Sequence, residues 1–180
     1  MTTINDVLAH IGRRLPHLDM TKALKLAYYS QAWHATWEGH SLYPERTEAW
    51  MHGPVCREGY RLLRYGPVPQ PRDLSATEAA VVDAVIDFYG HMNGSELGDL
   101  AHDEAPWIEA RGTLPPEARS DDEITVSSMR RYYTRKAMNG EAVPQRPVVE
   151  PSSLSPDEVD KLIDEQMVRW RETLVLLAER

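Results

Sequence analysis

Cysteine is nearly absent from this chain of 180 residues, which contains Cys56 alone. A single cysteine excludes an intrachain disulfide and any zinc site built from cysteines, and it fits a reducing cytoplasm. The sequence also lacks an apolar run of the roughly 20 residues that a membrane-spanning helix needs. Its N-terminus has the features of neither a signal peptide nor a spanning helix. We therefore expect a soluble, cytoplasmic protein with no membrane partner.

Basic residues are outnumbered, because 20 lysines and arginines face 28 aspartates and glutamates and give a net charge of −8. Binding to nucleic acid depends on lysine and arginine side chains that neutralise phosphates. The acidic balance therefore argues against a dedicated nucleic-acid-binding protein and suits a basic protein partner. Two arginine-rich stretches, 57–64 and 130–136, keep a DNA-binding regulator of its own operon as an alternative, although such charges most often form a solvated helix face.

Motifs for catalysis and metal binding are also missing. The glycines of Gly90-x-x-x-Gly94 lack the Lys-Ser/Thr pair of a phosphate-binding loop. No His-x-x-x-His or Cys pair is present, so we expect His102 and Glu104 to bond backbone groups around Pro106 instead of a metal. Cys56 follows a predicted helix start, which could lower the pKa of its thiol, but no oxyanion device accompanies it. We expect neither an enzyme nor a cofactor or metal site.

Apolar residues recur mainly with the period of an α-helix, punctuated by glycine and proline. They predict a mostly α fold, a compact multi-helix bundle with irregular Gly/Pro loops and a C-terminal helical extension. The predicted helices run from about Ile4 to Ile11, Met20 to Trp37, Val55 to Tyr65, Ser75 to Gly90, Ser95 to His102 and Thr125 to Met138.

Between these helices, the stretch Ser41–Met51 is expected to form a loop or short extended chain, and Gly53-Pro54 a turn into the next helix. The predicted organisation is a helical domain over residues 1–140, a proline-rich linker over 141–155 and an amphipathic helix over 156–180.

Several sequence blocks resemble one family. Lys25–His34 and Gly39–Tyr43 are similar to the family's opening helix and following loop, and Ala49-Trp50-x-x-Gly53-Pro54-Val55 matches its most telling motif. Further on, His102-x-Glu104-x-Pro106-Trp107 resembles its second signature. In order and spacing, the blocks cover Lys22 to Arg135 and resemble the Panacea-domain antitoxins.

This resemblance implies a mostly helical fold and a role as the antitoxin of a type II toxin–antitoxin pair. Such a protein neutralises a cognate toxin protein by direct binding. One described member of the family is a proteolytic adaptor that delivers its toxin to a protease, so toxin delivery is a second alternative. Some members carry an added DNA-binding domain, and none is visible in this sequence.

Large aromatic side chains are the candidates for partner binding, because the hot spots of protein interfaces favour tryptophan and tyrosine. The candidate residues are Tyr28, Tyr29, Trp33, Trp50, Tyr60, Trp107, Trp170 and Leu174. Core packing is the alternative for the aromatic side chains, above all for Trp33 and Trp50, whereas Trp107 is expected in a loop. The helix that carries Trp170 and Leu174 either packs on the core, binds a partner or forms a homodimer.

Overall fold

The residues that the computed structural model describes are 1–66, 70–115 and 117–149. Met1–Pro147 form one compact unit. The predicted C-terminal helix 156–180, with the candidates Trp170 and Leu174, lies outside the described residues, as does the end of the predicted linker 141–155. None of the helices described here combines the length and the apolar character needed to cross a bilayer.

Helix α2 (Met20–Glu38) is the central element, and helices from both ends of the unit pack around it. Every residue from Ala23 to Ala35 is buried, which explains why its sequence is apolar around most of the helix circumference. Gly39 ends the helix in the left-handed conformation, with φ of 82°. The helix predicted from Met20 to Trp37 is confirmed.

Six further helices surround α2. They are α1 (Ile4–Arg14), α3 (Arg57–Tyr65), α4 (Ala76–Tyr89), α5 (Gly94–His102), α6 (Ala105–Arg111) and α7 (Val126–Met138). Ser75 and Glu78 form a reciprocal capping box at the start of α4. At α5 the cap is Asn93, whose side chain accepts hydrogen bonds from the amides of Ser95 and Glu96. The mostly helical fold is confirmed.

A small antiparallel sheet is the main departure from the prediction. Strands β1 (Thr47–Trp50) and β2 (Gly53–Cys56) form a hairpin in which Ala49 pairs with Pro54. A third strand, β3 (Glu123–Ile124), pairs with the other edge of β1. The extended chain expected within 41–51 is therefore confirmed in part.

The helix predicted from Val55 begins instead at Arg57, because Pro54 and Val55 belong to β2. Proline fits a strand where its missing N–H is not needed, so the same residue type suits either structure. Leu63 of α3 is 40% exposed, and Gly59 is the buried residue of that helix.

The expected loop around Trp107 is a helix. Pro106 occupies the first turn of α6, a position where the lost N–H would have had no helical partner in any case. Trp107 is thereby placed on a rigid element that contacts both α7 and the sheet.

Candidate functional site

The two motifs of the sequence meet at the hairpin, defined here as Thr47–Cys56. Trp107 donates its indole N–H to the carbonyl oxygen of Trp50 over 2.9 Å. Arg111, one turn further along α6, donates to the carbonyl oxygen of Ala49 over 3.1 Å. Its guanidinium carbon also lies 4.8 Å from the centroid of the Trp107 ring, a cation–π contact. The second motif therefore holds the backbone of the first.

Lys25, which lies on α2, bonds the backbone at the other end of the hairpin turn. Its side-chain nitrogen donates to the carbonyl oxygens of His52 at 2.6 Å and Pro54 at 3.0 Å. The residue is only 1% exposed, and burial lowers the pKa of its side chain to about 7. Gly53, with φ of 94°, passes directly over this nitrogen, and a Cβ there would lie 2.6 Å from it. A larger residue would be strained at this φ, and its Cβ would force the Lys25 side chain to shift away from the turn.

Arg111 also fixes the chain that follows α6. Its second terminal nitrogen donates to the carbonyl oxygens of Pro115 at 2.7 Å and Ala118 at 2.8 Å. The amide of Ala49 in turn donates to the carbonyl oxygen of Asp122 at 2.8 Å. These bonds bring the stretch 119–121 beside the hairpin.

Trp50 lies on the outer side of the hairpin in a fixed orientation. Its indole N–H donates to Glu48 at 2.7 Å, and Arg57 binds the same carboxylate through two nitrogens at 2.7 and 3.0 Å. Burial alone would raise the pKa of Glu48, but the bonds from Arg57 and Trp50 outweigh it and lower that pKa. The Tyr60 ring lies 5.3 Å from the Trp50 ring, centroid to centroid.

An open cleft of about 540 Å³ separates the hairpin turn from the stretch 119–121. We call it the hairpin cleft, and its lining residues are Trp50, Met51, His52, Arg57, Arg119, Ser120 and Asp121. Arg57 is paired with Glu48 and lies 3.6 Å from Asp121. Arg119 forms no ion pair or hydrogen bond with any residue in the described ranges.

The family assignment comes from comparison of the sequence with protein-family models. Residues 24–108 match the model described as antitoxin SocA-like, Panacea domain. The chain carries a Panacea domain. No curated protein and no solved structure matches. The matched segment contains Lys25, the whole hairpin and Trp107, and it ends before Arg111 and α7.

A second cluster, centred on Glu104, connects the Panacea domain to α7. The carboxylate is 1% exposed. It accepts hydrogen bonds from the hydroxyls of Tyr29 and Tyr133 and pairs with Lys136 at 2.8 Å. Burial raises the pKa of Glu104, although Lys136 opposes the effect. The predicted bonds to backbone around Pro106 are therefore wrong for this side chain, because the buried carboxylate has a cation and two hydroxyls within reach.

For His102, too, the structure shows no hydrogen bond from Nε2 to the backbone around Pro106. Its Nε2 atom is buried and has no hydrogen-bond partner among the described residues, and its ring packs 4.4 Å from the Trp107 ring, centroid to centroid. Neither residue belongs to a metal site in the described ranges, which hold no group of three or more histidine, cysteine or acidic residues arranged to bind a metal.

The structure divides the predicted partner-binding residues into two sets. Tyr28, Tyr29 and Trp33 are at most 1% exposed in the core of the Panacea domain, where the Tyr29 ring stacks on Tyr89 and Trp33 bonds the Tyr89 hydroxyl. They offer no surface to a partner, so their place favours the alternative of core packing.

The remaining described candidates lie at the hairpin. Trp50 and Tyr60 are half-buried on its outer side, and Trp107, 9% exposed, holds it from within. Partner contact remains a prediction for these three residues. It is best supported for Trp50, which lines the hairpin cleft.

The environment of Cys56 makes its thiol less reactive. It is 3% exposed, and burial raises the pKa of its thiol to about 12. A thiolate nucleophile requires a lowered pKa and access to substrate. The thiol therefore contributes to packing beside α3 and gives no support to a thiol enzyme.

Lys25 and Arg111 are the functional residues that sequence reasoning did not single out. The signal for Lys25 was available, since it is the one lysine or arginine in the mostly apolar helical stretch 23–35. A lysine in such a stretch must be buried, and a buried cation needs acceptors. Nothing local in the sequence indicates which backbone carbonyls supply them.

Proposed function

We propose that the chain is the antitoxin of a type II toxin–antitoxin pair and that it neutralises its toxin by binding it directly at the hairpin cleft. The observation that carries the proposal is the use of buried donors. Lys25, Trp107 and Arg111 all bond the backbone of one hairpin, and they come from three places in the chain. A surface fixed in this way loses little conformational entropy when a partner binds.

The side chains on the outer side of this hairpin suit a protein partner. Trp50, Arg57 and Tyr60 are residue types that dominate the binding energy of protein interfaces, and they lie together beside an open cleft. Arg119 adds a guanidinium that no described residue pairs with, so a carboxylate of the toxin can bind it. In this proposal neutralisation is stoichiometric and involves no catalysis.

Three of the seven basic residues in the arginine-rich stretches are already paired with carboxylates, which favours a protein partner over DNA at those positions. Arg57 is paired with Glu48, Arg131 with Glu109 at 2.6 Å, and Lys136 with the buried Glu104. A cation already paired with a carboxylate contributes little to phosphate binding, because the attraction is cancelled locally.

Co-expression with the product of the neighbouring gene tests the proposal. We expect rescue of growth and co-purification of a stoichiometric complex, with the toxin level in the cell unchanged. A falling toxin level, restored when the protease is inhibited, would instead indicate an adaptor. If growth is not rescued and no complex forms, an antitoxin role toward that protein is contradicted.

Replacement of Trp50 by alanine is expected to weaken toxin binding by at least 30-fold, about 2 kcal/mol, as for a central hot spot. Tyr60→Ala should weaken binding to a smaller extent, because Tyr60 supports the Trp50 ring. Isothermal titration calorimetry measures both effects, and thermal unfolding confirms that each variant is folded.

Tyr65→Ala is the matched control for Tyr60→Ala. It lies on the same helix, is 80% exposed and lines a different groove, with Ile4 and Leu62. We expect its toxin affinity to remain within threefold of the wild-type value. If Tyr65→Ala abolished binding and Trp50→Ala did not, the binding surface would be that groove and not the hairpin cleft.

A further inference from the structure

The site around the Lys25 nitrogen offers two hydrogen-bond acceptors and no countercharge. The acceptors are the carbonyl oxygens of His52 and Pro54, and among the described residues no carboxylate bonds this nitrogen. An ammonium group has three N–H donors, so its third proton and its charge are left without a partner. A neutral amine has two N–H donors, and these match the two acceptors. The geometry therefore fits the uncharged form.

His102 completes the arrangement on the other side of Gly53. A Cβ at Gly53 would lie 2.6 Å from the Lys25 nitrogen and 3.4 Å from His102 Nε2, so both nitrogens flank the same point of the turn. His102 Nε2 is buried without a partner in the described chain. Its ring also contacts Trp107, which bonds the carbonyl of Trp50. Lys25 thus bonds the turn directly, and His102 is linked to its Trp50 end through Trp107.

Other charged groups around the pair come from three elements. His52 belongs to the hairpin turn, Asp99 to α5 and Arg111 to α6. Burial and then the Lys25 charge lower the pKa of His102, with Asp99 acting in the opposite direction. Protonation of either member therefore disfavours protonation of the other.

We propose that Lys25 and His102 form a pH-sensitive switch that fixes the hairpin turn when both are uncharged and loosens it when either is protonated. The loss of Lys25 charge near neutral pH follows from its burial, which lowers its pKa to about 7. The link to toxin binding rests on the proposed function, because Trp50 ends the strand that leads into the turn. The switch itself is a property of the free protein and is tested without a toxin.

The sign of the effect on stability follows from the same shift. Lys25 titrates near 7 in the folded chain and near its ordinary value of 10.5 in the unfolded chain. Between these values the unfolded chain binds more protons, so the contribution of Lys25 makes the folded state more stable as pH rises from 7 to 10.5. Below about pH 7 both states are protonated, and this contribution no longer changes with pH.

The first experiment uses the full-length wild-type protein, with its lysines labelled with ¹³C at Cε and titrated by NMR. The sequence has only four lysines, so the spectrum is simple. We expect one lysine resonance to titrate near pH 7 and the others near their ordinary range. If all four titrate above pH 9.5, Lys25 is charged at neutral pH and the switch is overturned.

The second experiment follows the Trp107 indole N–H resonance between pH 5.5 and 9, because this proton bonds the Trp50 carbonyl. We expect a transition in the wild type that persists with an altered midpoint in both His102→Gln and Lys25→Met, because each variant keeps one titrating member of the pair, and that is lost in the double variant. His91→Gln, which removes an exposed histidine, is the control and should leave the transition unchanged. A transition lost in His102→Gln but kept in Lys25→Met would reduce the effect to ring titration beside Trp107 and contradict the switch.

Discussion

Replacing Arg111 with methionine is expected to lower the free energy of unfolding by about 3–5 kcal/mol, since each bond from a charged donor contributes about 1.5–3 kcal/mol and the bonds are not additive. The guanidinium is 4% exposed and serves the carbonyl oxygens of Ala49, Pro115 and Ala118. Methionine fills much of the volume but donates no hydrogen bond, so buried carbonyls lose their partner. Urea denaturation followed by circular dichroism measures the change.

Arg131→Met is the matched control for that substitution. Arg131 has a similar ion pair, with Glu109 at 2.6 Å, but both side chains are more than half exposed. Exposed pairs contribute about 0–1 kcal/mol, so the control should change the free energy of unfolding by less than that. Equal effects of the two substitutions would show that Arg111 does not hold the hairpin.

Replacing Lys136 with methionine is expected to lower the free energy of unfolding by about 3–5 kcal/mol, because removal of one partner of a buried pair leaves the other charge uncompensated. Lys136 and Glu104 have side chains that are 12% and 2% exposed. Removal of the cation also raises the pKa of Glu104 further, and protonation relieves the buried charge. The loss should therefore be smaller at pH 5 than at pH 8, as measured by urea denaturation at both values.

The double variant Lys136→Met/Glu104→Gln separates the ion pair from simple packing. Glutamine keeps the shape of the side chain and can still accept hydrogen bonds from the hydroxyls of Tyr29 and Tyr133. We expect the double variant to be more stable than Lys136→Met alone. If instead the free-energy losses of the single variants Lys136→Met and Glu104→Gln simply add in the double variant, the two side chains do not form a coupled ion pair.

Helices with strong local signals were predictable from the sequence. Helix α2 follows from its apolar circumference and Gly39, and the start of α4 follows from the reciprocal cap of Ser75 and Glu78. Each signal lies within a few residues of the structure that it determines. The hairpin has no such signal. Gly53-Pro54 suits a turn before a helix as well as a strand, and the choice is made by Lys25, 29 residues away from Pro54.

The candidate site shows the same difference between local signals, which the sequence reveals, and contacts between distant residues, which it does not. Both motifs were recognisable as sequences, but their contact joins residues 57 positions apart, from Trp107 to Trp50. Residue type alone did not separate Trp33, in the core, from Trp50, at the surface, because tryptophan serves both roles. Glu104 could not be assigned its partners either, since Tyr133 and Lys136 come from α7, which lies beyond the second motif.

Hydrogen–deuterium exchange of the full-length protein, with and without the proposed toxin, tests directly whether the Panacea domain binds it at the hairpin cleft. Binding at this cleft should slow exchange in peptides covering the hairpin and the stretch 119–121, with little change in α7. Slowed exchange confined to the groove beside Tyr65, or to α7, with the hairpin unchanged, would contradict binding at the cleft.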